Sequence, residues 1–249
     1  MNELVLYQFP VSHFCEKVRW ALDFKGLEYR TVNLLPGAHI KTIRAIAPQT
    51  TVPLLKHGDK IIQGSAAIID YLDELQPQPS LTPEDDMAAK QARQQEALYD
   101  TQLGPATRLY SYHYLLDKPS LAVPLLTFGH SLPMKIVFRI FFFKIAQIMR
   151  AKMRINDTTA AAAEQTINQH LEEIASVYAD GQFLVGDQLT RADLAACAFL
   201  APTFMPVEYG IDWPDISRFP LEMRDWLAAH QEQVNVVGAV YRANRRKNA

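Results

Sequence analysis

The chain has 249 residues, 49% hydrophobic and 21% charged, and 25 basic against 27 acidic residues give it a net charge of −2. This composition excludes a disordered or collagen-like chain and fits one large domain or two small ones. It leaves no global positive field to hold nucleic acid, and two cysteines, Cys15 and Cys197, supply neither a disulfide framework nor a zinc site, so no metal is expected.

The opening MNELVLYQFP lacks a basic region followed by a long apolar run. No secretory leader is read, and a reducing cytoplasm with both thiols free is the expectation. The apolar run Leu4 to Phe9 fits a buried strand, broken by Pro10. Ser12 then caps a helix that Gly26 stops. Glu28 to Asn33 reads as a second strand, His39 to Ile46 as a short helix, and Val52 to Lys56 as a third strand. A turn at His57-Gly58-Asp59 leads to a brief strand over Lys60 to Ile62. Ser65 caps a helix with Ile68, Ile69, Leu72 and Leu75 at helical spacing. The alternation predicts an α/β domain with a small sheet.

Three prolines between Gln76 and Pro83 mark a linker. They divide the chain into a first domain over 1–76, a linker over 77–84 and a second domain over 85–249. The second domain reads as all-helical. Its predicted helices cover Met87 to Tyr114, Met134 to Arg154, Thr158 to Ala179 and Thr190 to Ala201, with two more after Asp215. Lys118 to Pro133 reads as broken by prolines. Leu132 to Met149 is long enough to span a bilayer. It carries Lys135, Arg139 and Lys144, each costing about 2.5–3.5 kcal/mol near a membrane centre. No transmembrane segment is therefore read. A buried or interface helix is expected, with Phe138, Phe141, Phe142 and Phe143 mostly in the core; a peripheral membrane contact is the alternative.

Three places carry candidate chemistry. Ser12 and Cys15 occupy the ends of a C-x-x-C-like spacing at a helix N-terminus, where unpaired N–H groups and about half a positive charge favour a thiolate. A plain N-cap is the simpler role for Ser12. Val52-Pro53 is a candidate cis bond; a cis bond would leave the Val52 N–H and C=O free to pair with an extended peptide. Ser65, after Gln63-Gly64, suits a carboxylate at a helix N-terminus, or is a simple cap.

Together these segments match one family. SHFCEKVRWALDFKGLEY, APQTTVPLL and GSAAIIDYLDE resemble the thioredoxin-fold N-terminal domain of cytosolic glutathione transferases. Gly186 to Asp193 resembles the G-x-x-x-[ST]-x-A-D segment of their all-helical domain, with Thr190 and Asp193 as a capping box. The resemblance is poorest from Tyr110 to Ile155. It implies that a hydroxyl at Ser12 holds the glutathione thiolate and that the Val52 backbone pairs with the cysteinyl unit. Pro53 takes the cis-proline position, Ser65 the γ-glutamyl carboxylate, and His39 the glycyl carboxylate. It also implies a homodimer and a small hydrophobic electrophile held between the domains, near Tyr110, Tyr112, His113 and Tyr114 at the end of the first long helix; plain helix packing is the alternative for these four.

Some residues depart from the pattern. Gly64 stands where glutamate or glutamine is usual, so either Gln63 reaches in or this end of the site is weak. His13 replaces a common proline and, if protonated, would help the thiolate. Cys15 reads as structural, with a redox role as the alternative; Cys197 and Tyr7 read as core. Arg242, Arg245, Arg246 and Lys247 read as a solvated helix end. Conjugation of glutathione to an electrophile is the expected activity. A thiol oxidoreductase using Cys15, and a binding protein without turnover, are the rivals.

Overall fold

The computed structural model describes residues 3–245. Strand β1 (Leu4–Gln8) is apolar and almost wholly buried, as a central strand covered on both faces must be. It pairs in parallel with β2 (Tyr29–Asn33) and antiparallel with β3 (Leu54–His57), which pairs antiparallel with β4 (Lys60–Gln63), giving the order β2-β1-β3-β4. Helices α1 (His13–Phe24), α2 (His39–Arg44) and α3 (Ser65–Leu75) complete this half. The first half is thus the thioredoxin-like arrangement expected, and the rest is helical.

Helix α3 ends at Leu75 and α4 (Asp86–Thr101) begins after the proline-rich segment. The buried Lys25 ammonium holds that segment down: Nζ donates to the Gln76 and Pro79 carbonyls at 2.7 Å each and pairs with Asp73. The single helix expected over Met87 to Tyr114 is two, α4 and α5 (Leu103–Leu115), parted at Gln102. The proline-broken stretch also contains a helix, α6 (Pro119–Leu126): Pro119 sits in its first turn, where a missing N–H costs nothing. Helices α7 (Leu132–Met153), α8 (Asp157–Ala179), α9 (Arg191–Phe204), α10 (Leu221–Ala229) and α11 (Gln231–Asn244) follow. Helix α9 is the buried centre of the helical half, and it starts with the expected box: Thr190 N–H donates to Asp193 at 2.9 Å while the Thr190 hydroxyl receives the Ala192 N–H.

Two further expectations are corrected. Helix α7 buries only Phe138, Phe142 and Ala146, so Phe141 and Phe143 are outside the core. A helix that touches the protein along one stripe can bury only every third or fourth side chain. Arg245 is not solvated. It is buried and ion-paired with Glu16 and Asp23, because Glu16, itself fully buried in α1, requires counter-charge. Arg242 is exposed as read; Arg246 and Lys247 lie outside the described residues.

Candidate active site between the two domains

A cavity of about 440 Å³ opens between the two halves. Its floor is built from the loop after β1 (Phe9, Val11, Ser12), the first turn of α1 (His13, Phe14), the α2 entry (His39) and the proline loop (Thr51, Val52). Ser12 is the N-cap of α1 by backbone, with φ −75° and ψ 122°, yet its side chain makes no capping hydrogen bond. Its carbonyl receives the Cys15 and Glu16 N–H groups at 3.0 and 2.9 Å. The hydroxyl thus makes no bond to the α1 backbone N–H groups; its partner within the chain is the Cys15 thiol in the first turn.

The Val52–Pro53 peptide is cis. Among the described residues, no hydrogen bond engages the Val52 N–H or C=O. Val52 lies two residues before the ladder of β3, whose last pair with β1 is Tyr7 with Leu54. An extended peptide can use these two groups as strand addition requires.

Gln63 does not reach into the cavity. Its Nε2 donates to the Gln49 and Thr51 carbonyls at 2.9 and 2.8 Å, bracing the proline loop. Gly64 has φ +97°, a conformation in which a side chain is strained even though a Cβ would meet nothing within 4 Å. Gly64→Ala is therefore expected to lower stability by about 1–3 kcal/mol without a clash, read as a fall in the urea midpoint; an unchanged midpoint contradicts the strain. Ser65 is buried at the start of α3, and its hydroxyl bonds to no other described residue. Pro53, Gln63, Gly64 and Ser65 do not line the cavity itself; the Gly64 N–H, 3.1 Å from the Pro53 carbonyl, ties them to the loop that does.

His13 lies in the floor but does not carry the charge considered for it. Helix α5 comes close to α1 because residue 104 is glycine: a Cβ there would sit 2.7 Å from the Phe14 ring. The approach puts the Gly104 carbonyl 2.9 Å from His13 Nε2. Burial, helped by Arg108, lowers the His13 pKa from 6.5 to about 3, so the imidazole is neutral. Between those values the folded chain binds fewer protons than the unfolded one. This contribution to stability is complete above pH 6.5 and is lost as pH falls toward 3, at up to about 1.4 kcal/mol per pH unit. Stability curves against pH should be flatter across this window in His13→Gln; an unchanged slope contradicts a neutral buried His13.

His39 also lines the floor. Its Nδ1 accepts the Gly37 N–H at 3.1 Å, its ring meets Phe9 edge-on, and burial lowers its pKa. Cys15 is fully buried outside the cavity. Burial pushes its thiol up against the smaller opposing pulls of the Ser12 hydroxyl and Arg19, the reverse of what a reactive thiolate needs. Cys197 is buried in α9. Neither Tyr7 nor Gln8 lines the cavity, and Gln8 instead braces Asn33 and Arg19.

The helical walls differ from expectation. Tyr110, His113 and Tyr114 face away: Tyr110 packs on Tyr114 and Trp226, and His113 lies 3.8 Å from Asp157. Of the four residues expected there only Tyr112 lines the cavity, joined on α5 by Arg108, Ser111 and Leu115. Their i, i+3, i+4, i+7 spacing marks one helical face and was the available signal. Helix α7 adds Ile145, Met149 and Lys152, and Trp213 and Phe219 add aromatic surface. Arg108 has no ion-pair partner among the described residues.

Residues 6–80 match the glutathione S-transferase N-terminal domain, and residues 134–224 match the glutathione S-transferase C-terminal domain. The chain belongs to the glutathione transferase family. It is 37% identical over 119 residues to glutathione S-transferase Z2 of Arabidopsis thaliana, covering 47% of this chain and 53% of that one. A probable maleylacetoacetate isomerase of Caenorhabditis elegans is 25% identical over 236 residues, 92% of this chain and 93% of that protein. The first curated relatives are thus matched over about half their length or less. The fold superposes on a glutathione S-transferase from Methylobacterium radiotolerans in complex with glutathione sulfonate, with a TM-score of 0.60, 22% identity, and coverage of 96% of this chain and 91% of that one. In this glutathione transferase family member the cavity thus lies between the N-terminal and C-terminal transferase domains.

Proposed function

We propose that the chain binds glutathione along the proline loop and conjugates its sulfur to a small, mainly apolar electrophile. The observation that carries this reading is the Ser12 hydroxyl. It stands on the cavity floor at a helix N-terminus, unused by the cap. A hydroxyl donor and the helix end stabilise a thiolate over a thiol. Val52 receives the cysteinyl unit, Ser65 the γ-glutamyl carboxylate, and neutral His39 donates to the glycyl carboxylate. The protein ionises and positions the sulfur, and the carbon–sulfur bond forms as the electrophile's leaving group departs. The homodimer implied by the resemblance is part of this reading and is read by sedimentation.

A second reaction is favoured by Arg108 and Lys152, two cations at a mainly apolar cavity. They suit a carboxylate-bearing cis-enone, to which the thiolate adds and from which it is expelled after bond rotation, as in a maleylacetoacetate isomerase. Calorimetric titration with glutathione, then assays with a model aryl halide and with maleylacetoacetate, test both. Binding with turnover of the aryl halide supports conjugation, and turnover of the enone alone supports isomerisation. Absence of glutathione binding overturns both and leaves a binding protein.

A further inference from the structure

We infer that α7 docks the protein onto an anionic phospholipid surface. Eight of the thirteen exposed large hydrophobic side chains among the described residues lie on this one helix. Leu132, Ile140 and Phe143 are 69%, 68% and 70% exposed, and Ile136, Val137 and Phe141 accompany them. Such a patch on one helix is more than the scattered apolar exposure of an ordinary surface.

The charge on this helix names the occupant. From Leu132 to Ile155 the chain carries Lys135, Arg139, Lys144, Arg150, Lys152 and Arg154 and no acidic residue. With 19 of its 25 basic residues set against all 27 acidic ones, the rest of the chain is net −8. Only Arg150 of the six forms an ion pair among the described residues, with Asp117. A helix with bulky apolar side chains and only positive charge fits the boundary between headgroups and acyl chains of an anionic bilayer. Lys144, set among the apolar side chains, reaches the headgroups along its own stem. No helix of the described residues is long and apolar enough to cross a membrane, so α7 lies on the surface. A second copy of the same face would oppose its own cations, which disfavours self-docking. The inner edge of α7, through Ile145, Met149 and Lys152, lines the cavity, so docking brings the cavity wall to the lipid.

Flotation with phosphatidylcholine vesicles, with or without about one-third phosphatidylglycerol, tests the inference. Binding at least about tenfold stronger to the anionic vesicles, weakened by salt, is expected. Ile140→Asp/Phe143→Asp and, separately, Lys135→Glu/Arg139→Glu should each lose about tenfold or more of that binding. All four positions lie outside the cavity, and an unchanged thermal midpoint certifies the fold. No vesicle binding by the wild type, or equal binding by the variants, overturns the inference. So does a wild-type dimer that dissociates in the first variant while neither binds vesicles, which would make the face a self-interface.

Discussion

Ser12→Ala is expected to cut glutathione conjugation at neutral pH by about 10²-fold while leaving the fold and glutathione affinity nearly intact. A thiol that ionises two units below its free value has about 2.7 kcal/mol of preferential thiolate stabilisation. Loss of one preorganised donor accounts for an effect of this size. Neither neighbour replaces it: His13 on the floor is held neutral by burial, and Cys15 is fully buried in the first turn of α1, outside the cavity. The deficit should appear in kcat and shrink as pH rises, because free hydroxide can ionise the sulfur that the hydroxyl no longer holds. Full activity in the variant across neutral pH would remove Ser12 from the mechanism.

Lys17→Met should destabilise the protein by about 3–5 kcal/mol, the range for breaking a buried ion pair from one side. Lys17 is fully buried between the two halves, with Nζ 2.7 Å from Glu96 and 2.6 Å from Asp100 of α4. Glu96 in turn pairs with Arg191 at the start of α9, and Arg191 reaches Asp70 in α3. This chain of charges ties α1 and α3 to α4 and α9, and its ends fix where the Ser12 loop sits against the helical domain. Removing the cation leaves two carboxylates in a site whose burial already raises the Asp100 pKa. The double variant Lys17→Met/Asp100→Asn should stand above the single one, because it leaves fewer uncompensated charges. Denaturant midpoints with constant m values read both effects. A loss under about 1 kcal/mol would place the network among the weak surface pairs.

The alternation of strands and helices up to Leu75 was legible because each element there is short, strongly patterned and bounded by proline or glycine. The cis-proline loop and the Ser12 turn were legible for the same reason: their residue types meet a backbone demand. The cavity walls were less so. Tyr110, His113 and Tyr114 attract notice as aromatic residues, but side-chain direction on α5 is set by which face meets α8 and α10, and only the spacing of Arg108, Ser111, Tyr112 and Leu115 encodes it. The buried charges could not be placed at all. Arg245 looks like a tail cation until α11 brings it to Glu16, more than two hundred positions earlier in the chain. Gly64 was legible as a departure but not as a conformation, since a positive φ is visible only in the backbone.

The most direct measurement is the ultraviolet titration of the glutathione thiolate in complex with the wild-type chain and with Ser12→Ala. The bound sulfur should ionise about two units below its free value in the wild type and return to that value in the variant. Identical ionisation in the two complexes would contradict the claim that the Ser12 hydroxyl holds the sulfur as a thiolate.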